Sequence, residues 1–220
     1  MRRSARKVLG GIAAALAFSG ASHAATIPPI HEMMPLDRMT LPEHFISEVK
    51  RIPMPDVGEA EVWVRIDLYD RELVVYRGKE MITSIPHVGI GNSGAQRVRL
   101  QGSRMTPLGE FKIERINRQS QFNTFYGINY PTQEVVEEAL TTGLISPVEY
   151  RRFMRDKQRG RMTPAYTSLG GHIGIHGLGS RDPRIHERYD WTDGCLALKN
   201  DDLKRIDPWL RPGTTVLIHG

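Results

Sequence analysis

One cysteine and one histidine have the types and surroundings of a nucleophile and its base. Cys195 is the only cysteine among 220 residues, and it follows a glycine in residues 191–195, WTDGC. A cysteine without a disulfide partner is either an inert buried side chain or a reactive thiol. His176, in the upstream segment Ile-His-Gly, favours the reactive thiol because an imidazole can accept its proton. The pair predicts nucleophilic acyl chemistry.

Residues beside the cysteine and histidine could complete such a site. Gly194 permits a tight bend whose N–H groups could bind an oxyanion, worth about 2.7–4 kcal/mol per donor in other enzymes. Trp191 and Tyr189 are expected to wall the approach. His172 lies four residues before His176 on a predicted strand, so it either lines the same cleft or is a partly buried strand residue.

The remaining histidines and the cofactor question have simpler predictions. His186 falls in a polar stretch and is expected to be solvated, while His87 and His219 lie on predicted strands without a clear partner. A zinc ion held by His172, His176 and Cys195 is conceivable, but no closely spaced ligand motif supports it. We therefore predict no metal and no cofactor.

The first 24 residues have the pattern of an export signal. Arg2, Arg3, Arg6 and Lys7 precede an apolar run over residues 8–18, and small residues end the segment at Ala24. The run is shorter than the ~20 residues that span a bilayer, so we predict a cleavable signal peptide, no stable membrane span and a periplasmic protein.

The charge balance argues against nucleic acid as a partner. The signal segment carries 4 of the 30 Lys and Arg residues and none of the 25 Asp and Glu residues, so the mature chain has a net charge of 26 − 25 = +1. A nucleic-acid interface needs a concentrated basic surface.

The rest of the chain divides into a proline-rich leader, residues 25–58, and one domain, residues 59–220. Short strands separated by Gly and Pro predict a mainly β sandwich or small barrel. The predicted strands are 62–69, 73–76, 81–91, 109–113, 172–176, 196–198 and 214–219.

Residues 131–168 predict a helical insertion. Thr132 is expected to cap its first helix. Ser146, with Pro147 and a capping-box Glu149, is expected to begin the second, which Gly160 ends. The insertion either packs on the sheet or acts as a lid that excludes water. A short C-terminal helix over 201–209 is expected to be capped by Asn200.

Several ordered motifs resemble one family. His176, followed after fifteen residues by Thr-Asp-Gly-Cys, is similar to the His…[Ser/Thr]-x-Gly-Cys signature of the L,D-transpeptidase (YkuD-like) catalytic domain family. Residues 106–111 (TPLGEF), 169–174 (LGGHIG) and 212–216 (PGTTV) also fit, so the resemblance covers roughly 62–219.

The resemblance implies a mixed β-sandwich that acts on peptidoglycan stem peptides. By analogy, Cys195 attacks a tetrapeptide stem, His176 serves as general base and acid, and the Gly177 carbonyl orients the His176 ring. Gly194 and Cys195 would supply oxyanion N–H groups, and Thr192 would bond within the loop. An amine then takes the thioester, giving a 3-3 cross-link, attachment of an outer-membrane lipoprotein, or D-amino-acid exchange.

Two positions depart from the family. Asp193 stands where many members have His, and we expect it to point away from the thiol or to pair with a basic group such as Arg181 or Arg184. Ala197 stands where many members have Arg or Asn, so one cation expected for substrate-carboxylate recognition is missing.

Three functions fit these residues. The first is an L,D-transpeptidase. The second is an L,D-carboxypeptidase or amidase, in which water takes the place of the amine. The third is an inactive peptidoglycan-binding module. The presence of both Cys195 and His176 favours an enzyme, since a binding module needs no free thiol.

Overall fold

The computed structural model describes residues 54–164 and 166–220. The predicted signal peptide and most of the predicted leader lie outside these residues. The strands are β1 (Val62–Asp67), β2 (Glu72–Arg77), β3 (Glu80–Ile85), β4 (Ala95–Gln96), β5 (Thr106–Pro107), β6 (Gly109–Ser120), β7 (Asn123–Ile128), β8 (Gly174–His176), β9 (Leu196–Ala197) and β10 (Thr215–His219). The helices are α1 (Gln133–Thr141), α2 (Pro147–Gln158), α3 (Pro183–Arg188) and α4 (Asn200–Ile206), followed by a 3-10 turn, Asp207–Trp209.

One eight-stranded sheet organises the domain, in the order β3-β2-β1-β10-β6-β7-β8-β9, and β4 pairs with β5 separately. The β1–β10 and β8–β9 pairs are parallel, and the other neighbours in the large sheet are antiparallel. The long strand β6 pairs with β10 in its first half and with β7 in its second, and a register shift between Ile113 and Arg115 separates the two halves. Such irregularities bend a sheet.

Both halves of the sheet bury side chains in one core. The core takes Val64 from β1, Val216 from β10, Tyr126 from β7 and Leu196 from β9. The alternation predicted for β1 is present in part, because Val64 and Ile66 are fully buried and Arg65 is half-buried, but Trp63 on the opposite face is buried as well, stacked on Tyr76. The predicted mainly β sandwich with a helical insertion and a short C-terminal helix is confirmed.

The two edges of the sheet differ. At one edge, β9 exchanges two backbone hydrogen bonds with Gly89, from Gly89 N to Ala197 O at 3.0 Å and from Ala197 N to Gly89 O at 2.8 Å. At the other edge lies β3, where Arg205 Nη2 donates to the Ser84 carbonyl at 2.6 Å. The segment after β3, which contains Gly89, thus lies along β9, the strand that follows Cys195.

The insertion packs as a helical hairpin. Thr132 and Ser146 cap α1 and α2, as expected, and Val136 of α1 and Phe153 of α2 belong to the core. Glu149 does not close a capping box, because its carboxylate accepts from the Ser168 N–H and hydroxyl instead. It thereby ties the second helix to the segment that enters the site.

Several predicted strand boundaries were wrong. The third strand ends at Ile85 rather than at residue 91, and the fourth extends from residue 113 to Ser120. The strand predicted from His172 begins at Gly174, because His172 has a left-handed backbone with φ of 55°. Strand β7 was not predicted, since its sequence NTFYGI lacks clear alternation and contains an internal glycine.

Asn200 does not cap the C-terminal helix. The N-cap position is occupied by Lys199, without a side-chain capping bond. The Asn200 amide instead accepts from Gly179 N–H at 3.0 Å and donates to the Gly179 carbonyl at 2.8 Å. It thus closes the loop that follows His176.

This placement gives a test that separates the two roles. Asp caps helices as well as Asn does, so Asn200→Asp would be neutral for a cap. If Asn200 instead closes the loop at Gly179 (a loop clamp), the substitution removes its amide donor and places a carboxylate next to the Gly179 carbonyl. We expect both Asn200→Asp and Asn200→Ala to lower the free energy of unfolding by about 1–3 kcal/mol, measured with urea. Lys204→Ala, exposed on the same helix, is the control. A stable Asn200→Asp variant would contradict the clamp.

Candidate active site

The pairing of β8 with β9 places the two chemical groups on one face. His176 is the partner of Ala197, and Cys195 lies two residues before Ala197. Because side chains alternate along an extended chain, Cys195 and His176 project from the same side. Gly174, which precedes Ile175 on β8, has no room for a side chain, because a Cβ there would clash with the Tyr126 carbonyl of β7.

Cys195 is partly exposed as a residue, but its thiol is desolvated and bonded to backbone. Cys195 Sγ donates to the His172 carbonyl at 3.4 Å. Within the described residues, no hydrogen bond joins the thiol to His176, so the sulfur must rotate toward the imidazole before it can give up its proton. The His172 ring is exposed, and its Nδ1 accepts from Arg115 Nη2 at 3.2 Å.

The His176 ring is held in one tautomer. Its Nδ1 lies 2.7 Å from the Gly177 carbonyl, the hydrogen bond expected from the sequence. A carbonyl only accepts, so Nδ1 carries the proton and Nε2 keeps the lone pair that a base requires. Phe122 stacks on the ring at 4.5 Å between centroids, and Trp191 meets it edge-on at 5.8 Å. Trp191 is buried, so it supports the base rather than lining an open approach.

The loop before Cys195 is closed by Thr192. Its hydroxyl donates to the Cys195 carbonyl at 2.6 Å and accepts from Gly194 N–H at 3.2 Å. Because Gly194 N–H is engaged in the loop, Cys195 N–H is the remaining candidate of the two predicted oxyanion donors. Gly194 has φ of 122°, and a Cβ there would lie 2.5 Å from the Met105 carbonyl, so glycine is required.

A buried carboxylate anchors the same loop from behind. Asp190 is fully buried, and its Oδ1 pairs with Arg71 Nη1 at 2.6 Å and accepts from Ile90 N–H at 3.0 Å. Asn92 N–H donates to the Thr192 carbonyl at 2.9 Å. These bonds fix the segment that precedes the nucleophile.

The Asp193 carboxylate pairs with a basic group, as expected, although with neither of the two arginines suggested by the sequence. Its partner is Arg104, at 3.7 Å, whereas Arg184 pairs with Asp182. Arg104 lies just before β5, next to Met105, whose carbonyl lies behind Gly194. The contact partly offsets a negative charge that raises the pKa of the Cys195 thiol.

Arginines that no sequence pattern indicates as site residues lie around Cys195 and His176. Arg99 is 4% exposed, and its Nη2 donates to the Asp193 carbonyl at 3.1 Å. The Arg115 guanidinium lies 6.0 Å from the Phe125 ring centroid, and that of Arg181 lies 4.7 Å from Trp191. The only sequence signal for Arg99 is a charge between Val98 and Leu100. Nothing in the sequence brings Arg115 near Cys195.

His186 was expected to be solvated but is buried on α3, a helix that was not predicted. A Cβ on Gly89 would lie 3.0 Å from His186 Nδ1, so the ring packs against the segment that bridges to β9. Neither ring nitrogen has a hydrogen-bond partner among the described residues. The polar sequence around it reflects exposed neighbours such as Glu187 and Arg188.

Burial keeps both candidate reactive groups neutral. Desolvation raises the pKa of the Cys195 thiol to about 11 and lowers the pKa of His176 to about 4. At neutral pH the site therefore holds a thiol and an imidazole rather than an ion pair. The thiol proton would have to move as the new bond to sulfur forms.

Two further findings concern metal binding and membrane-spanning helices. The described residues contain no group of three or more His, Cys, Asp or Glu side chains arranged to bind a metal ion. None of the helices in residues 54–164 and 166–220 combines the length and apolarity needed to cross a bilayer.

A profile of the L,D-transpeptidase catalytic domain matches residues 61–218. The chain belongs to this family. No curated protein matches the sequence. The L,D-transpeptidase domain is also similar to solved structures, of which it spans about half to three-fifths of the length.

Three of these structures illustrate the range. The helical cell shape determining protein Pgp2 from Campylobacter jejuni is 20% identical, with a TM-score of 0.44, covering 80% of this chain and 54% of that one. Bd1075 from Bdellovibrio bacteriovorus is 17% identical, with a TM-score of 0.43 and coverages of 88% and 53%. An L,D-transpeptidase from Mycobacterium smegmatis is 12% identical, with a TM-score of 0.40 and coverages of 73% and 59%.

The buried histidines make stability depend on pH. Desolvation lowers the pKa of both His176 and His186 to about 4, whereas an unfolded histidine has a pKa of about 6.5. Between these values the unfolded chain binds protons that the folded chain excludes. We therefore expect the free energy of unfolding of this domain to fall as pH drops from 6.5 towards 4, by up to about 1.4 kcal/mol per pH unit for each histidine.

Urea unfolding between pH 7.5 and 5.0 measures this slope. His186→Leu replaces the imidazole with an apolar side chain of similar size. It should reduce the pH dependence of the free energy of unfolding by up to the contribution of one proton. An unchanged slope in that variant would show that His186 is not held neutral by the fold.

Proposed function

We propose that this protein is a peptidoglycan L,D-transpeptidase that uses Cys195 as its nucleophile. The observation that carries the proposal is the β8–β9 pairing, which sets Cys195 and His176 on one face while the Gly177 carbonyl holds the imidazole in the basic tautomer. Membership of the family supports the substrate class, a peptidoglycan stem peptide.

The reaction assigns a role to each group. The Cys195 thiol rotates from the His172 carbonyl, its proton passes to His176 Nε2, and its sulfur attacks the carbonyl carbon before the terminal D-Ala of a tetrapeptide stem. The His176 proton then leaves on the D-Ala amine. Cys195 N–H would stabilise the oxyanion that forms between these steps.

The thioester is then attacked by an amine acceptor. The acceptor amine loses its proton to His176, the acyl group passes to nitrogen, and the thiol is restored. A stem peptide, a free D-amino acid or the side-chain amine of an outer-membrane lipoprotein could serve. The predicted signal over residues 1–24 would deliver the enzyme to the periplasm, where these acceptors occur.

Incubation with purified tetrapeptide muropeptides tests the proposal. We expect 3-3 dimers, or exchange of the terminal D-Ala when another D-amino acid is added, detected by mass spectrometry. Tripeptide alone would indicate hydrolysis. Retained wall binding without turnover would indicate an inactive binding module.

His176→Gln should lower turnover by about 10²–10⁴ because the general base is lost.

His172→Gln is the matched control for that variant. It removes an exposed imidazole on the same approach but leaves the backbone carbonyl that bonds the thiol. A His176→Gln enzyme with near wild-type turnover would remove His176 from the mechanism.

A carbapenem should acylate Cys195, because its strained carbonyl accepts a thiolate without needing an acceptor groove. We expect the intact mass to increase by one carbapenem in the wild type and to stay unchanged in Cys195→Ala. An unmodified wild-type protein under conditions that alkylate its thiol would count against the proposed nucleophile.

A further inference from the structure

Arg99 is a buried cation that forms no ion pair among the residues the structure describes. Its residue is 4% exposed, and its guanidinium makes its hydrogen bond to a backbone carbonyl, that of Asp193. No carboxylate within the described residues forms an ion pair with it, and its Nε is buried without a partner. Burial lowers the pKa of the guanidinium, but arginine stays charged in proteins. Holding an unpaired charge in this way costs stability.

The guanidinium lies directly against the bend that carries the nucleophile. A Cβ built on Gly194 would lie 3.3 Å from Arg99 Cζ, and one built on Gly170 would lie 3.3 Å from Arg99 Nη1. The guanidinium thus lies between two glycines, Gly170 in the segment before β8 and Gly194 in the loop before β9. Any side chain at either position would push it away.

The main chain of Arg99 is fixed as well. Its N–H donates to the Tyr130 hydroxyl at 3.2 Å, and that hydroxyl lies 3.3 Å from its carbonyl oxygen. Tyr130 is itself buried in the core next to Phe111. The charge is therefore held in place by the rigid part of the fold rather than by a mobile loop.

We propose that Arg99 is a positioning residue whose buried positive charge stabilises the thiolate of Cys195 and holds the Gly194–Cys195 bend in place. The proposal deepens the proposed function, since it concerns the same nucleophile. A cation close to a thiol favours the charged form, and the effect is large where water is excluded. The neighbouring Asp193 carboxylate acts in the opposite direction, but it is partly exposed and paired with Arg104.

Arg99 also suits this role better than the other arginines near the site. Arg115 is engaged with the His172 ring, and Arg181 lies over the aromatic rings beside the base. Both retain contact with solvent, where water and salt screen their charges. The burial of Arg99 protects its charge from that screening.

The rate of Cys195 alkylation by iodoacetamide tests the proposal without any peptidoglycan substrate. Cys195 is the only thiol, so the rate at pH 7.5 reports its thiolate fraction. In the full chain we expect Arg99→Gln, which keeps an N–H donor but loses the charge, to react about tenfold more slowly. Arg99→Lys, which keeps the charge, should stay within about twofold of wild type.

Arg97→Gln is the matched control, because it removes an arginine two residues away whose partner is the surface residue Glu138. It should react like wild type. A wild-type rate in a folded Arg99→Gln, or an equal loss in Arg99→Lys and Arg99→Gln, would overturn the role of the charge. These results are independent of whether muropeptides are turned over.

A measurement on the wild type covers the case in which the variants do not fold. A buried charge is screened little by salt, so the alkylation rate should change less than about twofold between 0.05 and 1 M KCl. A tenfold change would show that exposed charges control the thiol, and would overturn the proposal.

Discussion

The two hydrogen bonds between Gly89 and Ala197 are the constraint on which the site depends. Strand β9 has two residues, too few to hold its place through β8 alone. Gly89 bonds it from the other side, so the residue that precedes β9, Cys195, has a fixed position relative to His176. The same segment supplies the Ile90 N–H that holds Asp190. Cys195 is thus positioned by a segment that lies about one hundred residues earlier in the sequence.

In the candidate site, the two groups proposed to react are distinct from the charged side chains that influence their protonation. Cys195 and His176 are adjacent to packed aromatic and aliphatic side chains, which favour their neutral forms. Cations surround them at different depths, with Arg99 beneath the loop and Arg115 nearer the solvent. A neutral thiol resists oxidation, since the thiolate is the reactive form. The arrangement favours a nucleophile that becomes charged only when it reacts.

Local patterns in the sequence predicted much of the fold. The burial of Val64 and Ile66 on β1 and the caps of α1 and α2 are each encoded within a few neighbours, and the structure has them where the patterns indicate. The hydrogen bond between His176 and Gly177 is also local. Strand β7 was missed because its apolar residues pack on both sides of the bent half of the sheet, which leaves no period of two.

The failures share one physical cause, namely contacts between distant segments. Asn200 has the sequence position of a cap, but the loop at Gly179 takes up its amide. His186 stands among charged residues, yet one face of α3 packs towards Gly89. Asp193 pairs with Arg104 because β4 and β5 bring that segment behind the loop. No pattern within ten residues of these positions carries that information.

The unequal edges of the sheet have a consequence for self-association. An uncovered strand offers a row of free amide and carbonyl groups to which a second molecule can add its own strand. At β9 that row is already occupied by Gly89. At β3 the guanidinium of Arg205 caps the Ser84 carbonyl and places a charge where an incoming chain would have to lie. Edge-to-edge association of sheets into fibres is therefore opposed at both edges, by backbone hydrogen bonds at β9 and by an arginine at β3.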